Sequence, residues 1–354
     1  MAEVSLLVEG QLHPGWQRVE IVRSMDDFVD TAALQLTSPL SSVTGPVEID
    51  EWSEAEVLID GRTVIAGYVL AVTDAYTRDS YTVNVTAASR AIDLVHCGAG
   101  AAKKRWANVT IADIVADLVA PYDLDVVTTE VTDRVPRFAV KIGETVFEAI
   151  DRLVREHGMR ALSLDDGTVA LTRTGASTLP TALVSGKNIV SGSRQRSSED
   201  RFNTYIFKSQ TAGTKDSYGE AATEPKAEVV DEGVPRFRPM VVRKDAARGS
   251  AGLRARAEWE RNTRAGASRT LTYQVLSGPD LSECWYAAPG QLWAPNYLVG
   301  LRDDFFGIDA ELLITEAKLS RDDGGTKAFV TLAHPEAYLP ERPPKKKGKK
   351  GFVW

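Results

Sequence analysis

The sequence predicts an α+β protein that is mainly β, with two β-barrel-like domains flanking a small α/β module. Three observations carry this. Six short segments rich in β-branched and apolar residues occupy roughly the first 85–90 residues, with turn formers between them. Helix-period patterns then gather between residues 96 and 180. Strand patterns return after that and run to about residue 335, interrupted by one charged helix. The expected domains are 1–95, 96–180 and 181–340, followed by a basic tail at 341–354.

The first block reads as strands VSLLVE, RVEIVR, TAALQLT, EAEVLID, TVIAGYVLAVT and SYTVNVTAAS. In RVEIVR, Val19 and Ile21 share one face while Arg18 and Glu20 share the other, as a half-exposed antiparallel strand requires. Asp60-Gly61, between EVLI and RTVIAG, predicts a tight hairpin because both central positions of a type I′ turn need positive φ. In the second block, TIADIVADLVAPY places Ile111, Ile114, Val115 and Leu118 on one helical face, introduced by Asn108 and Thr110 and closed by Pro121. Strand-like LDVVTT and RFAVKI precede a second helix, ETVFEAIDRLVREHG, with Val146, Phe147, Ile150, Leu153 and Val154 inward. Gly158 stands where a helix C-cap wants positive φ. MRALSL and TVALTR form a hairpin around Asp165-Asp166-Gly167. In the third block, residues 211–233 read as a polar, acidic excursion, and DAARGSAGLRARAEWERNTRAG as a charged helix ending at Gly266.

Composition narrows the function classes. The chain has 354 residues, 43% of them hydrophobic, which is ample for a packed core and excludes a largely disordered protein. No run approaches the ~20 apolar residues of a membrane-spanning helix. Glu3 stands where a signal peptide would be basic, so secretion by that route is not expected. Two cysteines, Cys97 and Cys284, make no disulfide framework, and reduced thiols with synthesis in a cytosol are expected. The formal charge is −7, and five lysines fall in the last ten residues, KKKGKKGFVW, which leaves −12 on the body. An acidic body lacks the basic face of a general nucleic-acid binder.

Catalytic chemistry is not evident, and no cofactor or metal is expected. His13, His96, His157 and His334 lack metal-ligand spacing, and His96 beside Cys97 reads as a domain-edge turn. Gly98-Ala99-Gly100 begins like a dinucleotide loop but has neither a third glycine nor a βαβ unit around it. No G-x-S-x-G elbow occurs. Of the acidic pairs Asp165-Asp166, Asp303-Asp304 and Asp322-Asp323, the first and last precede glycine, where a turn suffices as explanation. The segment FAVKIGETVFEAIDRL looks like the opening of a LysM glycan-binding module, although a hairpin follows its helix where a second helix would be needed.

Taken in order, the motifs are similar to those of the baseplate hub proteins of Mu-like contractile-tailed phages and prophages, the tail protein P family related to the T-even hub. The pieces that carry the resemblance include GWQRVEIVRSMDDFVDTAALQLT, VLIDGRTVIAGYV, SRAIDLVHCGA and WANVTIADIVADLVAPYDLDV. They continue with GETVFEAIDRLVREHGMRALSLDDGTVALTRTG, GKNIVSGSRQRSSEDRFNTYIFKSQ, VPRFRPMVV, RARAEWERNTRAGASRTLTYQV, QLWAPNYLVGL and ELLITEAKLSRDDGGTKAFVTLAHPEAY. Their shared order covers about 330 residues, and the lysine tail lies outside it. The resemblance implies a non-enzymatic hub in a virion tail, made in the bacterial host cytoplasm. It implies a homotrimer whose two barrel-like domains per chain form a pseudo-six-fold ring. Such a ring adapts the six-fold tail tube, or a tube-terminating protein, to the three-fold central spike, with baseplate wedge components around it. DNA would pass through an acidic lumen without specific binding.

Candidate interface residues are Trp16, Trp52, Trp293 and Phe305, aromatics beside predicted strands or turns, for each of which a core position is the simpler reading. Arg256, Glu258 and Arg264 on the charged helix are candidates for inter-subunit ion pairs, with solvated surface an equal reading. Phe352 and Trp354 end the lysine tail as candidate anchors. The alternative function is a peptidoglycan-binding or wall-degrading tail component using the LysM-like segment at 138–157.

Overall fold

Strands form where apolar and polar residues alternate: Val4–Val8, Arg18–Ser24, Thr31–Pro39, Glu54–Ile59, Arg62–Tyr76 and Ser80–Ser89 fill the first block. The computed structural model describes residues 2–101, 104–128, 130, 134–209, 226–244, 250–276 and 283–339. Among these residues 49% lie in strands and 17% in helices, so the class is α+β and mainly β. The chain divides into two units. Unit 1 comprises Met1–Val154, Met159–Arg194 and Leu271–Ala333; unit 2 is built from Gln195–Thr270 and the residues from His334, with the short Arg155–Gly158 segment.

Unit 1 is organised by one fourteen-stranded sheet. Its path runs from Ile189–Arg196 through Arg269–Val275, Gly325–Ala333 and Ile308–Asp322 into Arg18–Ser24. It continues through Thr31–Pro39, Ser80–Ser89, Arg62–Tyr76, Glu54–Ile59 and Val4–Val8 to a short edge strand, Gln11–Pro14. The joining strand is Ile308–Asp322. Its first half pairs with Tyr297–Asp303, and its second half pairs Glu316–Arg321 against Val19–Ser24. Leu312, Leu313, Ile314 and Thr315 are all buried, breaking the alternation where the strand becomes central. A register shift between Ile314 and Glu316 then restores it. Leu6, Ile21 and Val57 therefore share one core with Trp285, Trp293 and Ile314.

The sequence divides these strands between blocks 1–95 and 181–340, whereas in the structure residues 18–24 and 308–322 are neighbours in one sheet. Residues 195–270 leave that sheet to build unit 2. Local patterning cannot show a pairing across about 300 residues. Glycine makes one close approach possible within the sheet. At Gly67, a Cβ would overlap the Ala88 carbonyl.

The α/β module lies within unit 1. Helices Ile111–Val119 and Val146–Glu156 bury the faces their spacing predicts. The Thr110 hydroxyl accepts from Asp113 N as an N-cap, and Gly158 adopts φ +83° after the second helix. Val126–Thr128 runs parallel to Val169–Thr172, which pairs antiparallel with Arg160–Ser163. This core also takes in Phe28, Val29 and Ala88 from the large sheet's strands and turns, and Phe28 stacks on Phe147 at 4.3 Å.

Unit 2 is a three-stranded sheet with a helix on one face. Thr204–Ser209 lies between Lys226–Val230, antiparallel, and Pro239–Lys244, parallel. Tyr205, Phe207, Ala227 and Val229 pack against Leu253 and Ala257 of helix Ser250–Ala267. Gly266 lies inside this helix, where a Cβ would collide with Ala337. Close packing, rather than termination, accounts for the glycine.

Candidate assembly interface

A charged cluster ties the α/β module to the large sheet. Arg23 shares the inward phase of Val19 and Ile21 and is buried with them. Its Nε donates to Asp30 Oδ2 at 2.9 Å, and its Nη2 donates to Asp165 Oδ1 at 2.5 Å. Arg62 approaches the other Asp165 oxygen at 3.8 Å. The neighbouring backbone is pinned as well, with Ala66 N donating to Asp165 O at 2.9 Å. Burial pushes the Asp30 carboxyl up to about 6, against the opposing pull of Arg23. A cleft of about 630 Å³ opens beside the cluster, lined also by Gln291, Asn296 and Tyr297. Both carboxylates accept from guanidinium groups, and the arrangement acts as a lock between two parts of unit 1. Asp165 is thus more than the turn residue its sequence context predicts. The signal for Arg23 was available as a charge in phase with two core residues.

The proposed contact residues fall into four groups. Trp16 and Trp293 are 3% and 0% exposed, and their indole Nε1 atoms donate to His13 O and Cys284 O. They belong to the core and leave no surface for a partner, because their rings fill the space between strands. Trp52 and Phe305 are 81% and 88% exposed. Trp52 holds φ +77° while its N donates to Val69 O at 2.9 Å, so the backbone presents the ring outward in a conformation that bulky residues avoid. Phe305 caps a hairpin whose turn is fixed by Asp303, which accepts from Phe305 N, Phe306 N, Ser185 Oγ and the Tyr273 hydroxyl. Burial alone would raise the Asp303 carboxyl, but these donors hold it below the ordinary value.

On the charged helix, Arg254 reaches Glu258 at 3.2 Å, and Glu260 takes Arg256 at 3.7 Å and Arg264 at 2.8 Å. The three helix candidates are engaged along their own helix, one turn apart. Arg264 and Arg238 also lie over the Phe202 ring, at 5.5 and 5.2 Å. Phe352, Trp354 and the lysine tail lie outside the described residues, as does most of the acidic excursion, 211–225. Within the LysM-like segment, strand Phe138–Ala139 and helix Val146–Glu156 form as expected. Arg152 donates to Glu144 at 2.7 Å across the turn, and the helix packs into the module's core.

Unit 2 carries a second buried pair. Arg201 donates through Nε and Nη2 to Asp231 at 2.7 and 3.0 Å. Its sheet face opposite the helix has no cover from that helix. Lys208 there lies directly between Lys226 and Arg243. Among the described residues, no group of three His, Cys, Asp or Glu side chains is placed to hold a metal ion. No helix among them is long and apolar enough to cross a membrane.

Three family matches tile this architecture. Residues 3–89 match the Mu phage baseplate assembly protein GpP-like N-terminal domain, and residues 91–173 match the second domain of baseplate hub protein gp44-like chains. Residues 249–341 match the fourth domain of Mu phage baseplate assembly protein GpP. Over 98% of its length, the chain is 29% identical to the baseplate hub protein gp44 of Escherichia phage Mu, covering 92% of that protein. The chain is a homologue of the Mu baseplate hub protein. This hub homologue also shares its fold with the 43 kDa tail protein of prophage MuSo2 from Shewanella oneidensis. The two are 26% identical, with a TM-score of 0.83 over 96% of this chain and 99% of that one. A tail protein from Neisseria meningitidis MC58 has the same fold, with 22% identity and a TM-score of 0.78 over 97% and 99% of the two chains. The hub homologue is thus a phage-type tail or baseplate hub protein.

Proposed function

We propose that the chain is a non-catalytic hub of a contractile tail, adapting a six-fold tail tube to a three-fold central spike as a homotrimer. The observation that carries this reading is the sheet of unit 1, in which strands from blocks 1–95 and 181–340 share one core. If each block is a barrel-like repeat of the ring, three chains supply six, and the shared sheet fixes the spacing of the two in each chain. Full-length similarity to a baseplate hub protein supports it. The partners are the tube or a tube-terminating protein above, the spike below and wedge components around. The protein is made in the host cytoplasm and works in the virion tail.

By sequence, unit 2 holds 22 Lys and Arg against 14 Asp and Glu, a charge of +8, which leaves −15 of the total −7 on unit 1. A strongly acidic unit 1 around the axis would repel phosphate and let DNA slide through without specific binding. Light scattering is expected to give three times 38.5 kDa, and tail particles are expected to show the chain around the spike. Density in the tube wall or sheath would end this reading. Retention on peptidoglycan would favour the glycan-binding alternative.

A further inference from the structure

We propose that the distal half of strand Arg62–Tyr76 pairs antiparallel with strand Ile189–Arg196 of a second copy of this chain, setting Asp74 opposite Arg194. The inference rests on the trimer reading and names the strands that close the ring.

The large sheet of unit 1 repeats itself. In the hairpin of Arg62–Tyr76 with Ser80–Ser89, Val69 faces Ala87 and, past a bulge at Leu70, Ala71 faces Thr86. In the hairpin of Ile308–Asp322 with Gly325–Ala333, Ile314 faces Leu332 and, past a bulge at Thr315, Glu316 faces Thr331. One constant shift in numbering carries Val69 to Ile314, Ala87 to Leu332, Ala71 to Glu316 and Thr86 to Thr331. The flanking strands follow. Glu54–Ile59 covers the first half of one long strand as Tyr297–Asp303 covers that of the other. Leu34 lies opposite Val85, and Tyr273 holds the same place opposite Val330. Beyond them, Val19 faces Leu34, and a Cβ at Gly192 would run into the Tyr273 ring, so Gly192 stands where Val19 does.

The two repeats meet once within the chain. The second half of Ile308–Asp322 pairs with Val19–Ser24, with Leu319 opposite Ile21 and Arg321 opposite Val19. The matching junction needs the second half of Arg62–Tyr76 and the strand Ile189–Arg196. Among the described residues both lack that partner: Glu54–Ile59 reaches only to Tyr68, and Ile189–Arg196 ends the path of the sheet. Exposure agrees, because Leu319 is buried while Asp74, in the equivalent place, and Tyr76 beyond it face solvent. Such edges offer their N–H and C=O groups to another chain. A second copy fits them, since its repeats already make this contact in each chain. The contact joins two different surfaces, so it is head-to-tail and closes into a ring.

Carrying the internal register across sets Asp74 opposite Arg194 and Tyr76 opposite Gly192. The first pair is of opposite charge, and the second places a ring over a residue without a side chain. The internal junction holds an ion pair too, Lys318 to Glu20 at 2.7 Å. Asp74 accepts from the Tyr81 hydroxyl at 3.4 Å. Arg194 donates to Phe306 O at 3.4 Å and lies over that ring. A carboxylate and a guanidinium each have further sites, so the new pair adds to these long contacts.

The test is light scattering on the full chain and on Asp74→Arg, with circular dichroism checking the fold. The wild type is expected as a trimer and Asp74→Arg as a single chain, and adding Arg194→Asp should restore the trimer. Independently, Ala75→Cys/Ser193→Cys places two thiols opposite each other in this register. Its oxidation should give a ladder on a non-reducing gel ending at three chains, whereas Ala75→Cys/Val190→Cys should not cross-link. A trimer that survives Asp74→Arg, or one in which Ala75→Cys/Ser193→Cys stays uncross-linked, overturns this pairing and leaves the hub reading standing. Failure of the charge swap to restore assembly also overturns it, as does equal cross-linking of the out-of-register pair. A wild-type chain that remains single up to about 100 μM, above the Kd of ordinary specific association, overturns the trimer and this inference together.

Discussion

Unit 1 and unit 2 each bury an aspartate against an arginine, and the two aspartates ionise in opposite directions. Both side chains are nearly closed to solvent, Asp30 being 7% exposed and Asp231 8%, but Asp30 lies deeper and is the more strongly desolvated. Burial pushes Asp30 up to about 6, with Asp165 adding to the rise and Arg23 opposing it. Asp231 is held below the ordinary value, first by the paired hydrogen bonds of Arg201 and also by Gly233 N. Arg23 divides its donors between two carboxylates, whereas Arg201 gives two to one. Deep burial leads at Asp30 and outweighs its share of Arg23, whereas at Asp231 the two hydrogen bonds from Arg201 lead and outweigh a smaller desolvation.

The largest effect is expected from Arg23→Met, which strands Asp30 without its partner. Unit 1 should lose about 3–5 kcal/mol, and calorimetry should show its transition falling while that of unit 2 holds. An equal fall in both transitions would mean that the units do not unfold separately. Phe207→Ala makes the reverse case. It empties the centre of the small core, and unit 2 should lose about 3–5 kcal/mol.

Acidity sharpens the contrast further. The Asp30 value is raised in the fold, so its contribution to stability is full below its ordinary 3.8 and is lost as pH rises through about 6. Across that interval unit 1 should weaken by roughly 3 kcal/mol, and Asp30→Asn should flatten the slope. Asp231 is depressed, so its contribution is present above the ordinary 3.8 and is lost as pH falls below it. Melting curves for the two units should therefore shift in opposite senses on acidification. Smaller still is Tyr205→Phe, which removes the hydroxyl that accepts from Phe202 N at 3.2 Å and should cost about 1 kcal/mol. Glu258→Gln should shift the melting of unit 2 by about 0.3–0.5 kcal/mol, as an exposed pair one helical turn apart allows.

Much of the local structure was legible. Asp60 and Gly61 adopt φ +50° and +76°, as the hairpin between Glu54–Ile59 and Arg62–Tyr76 requires. Thr110 caps its helix, Gly158 ends another, and Asp166-Gly167 turns the module's hairpin. Other features were hidden. The edge strand Gln11–Pro14 is only four residues long, mostly exposed, and ends in a proline, too short for its alternation to announce it. Trp16 and Trp52 look alike in sequence, yet one fills the core and the other faces solvent.

The charge imbalance is in the amino-acid sequence, but its boundary is not. Counting residues separates a lysine tail from an acidic body, while the division into units leaves −15 on unit 1 and, apart from the tail at 341–354, only +3 on unit 2. By itself the sequence determined most strands and helices and their caps, because periods of 2 and 3.6 residues arise from backbone geometry within a few residues; the order of its motifs carried the resemblance to Mu-type hub proteins. Only the tertiary structure decided that Arg18–Ser24 lies beside Ile308–Asp322. That pairing depends on which apolar faces meet across the whole chain, and many partners satisfy the same local alternation.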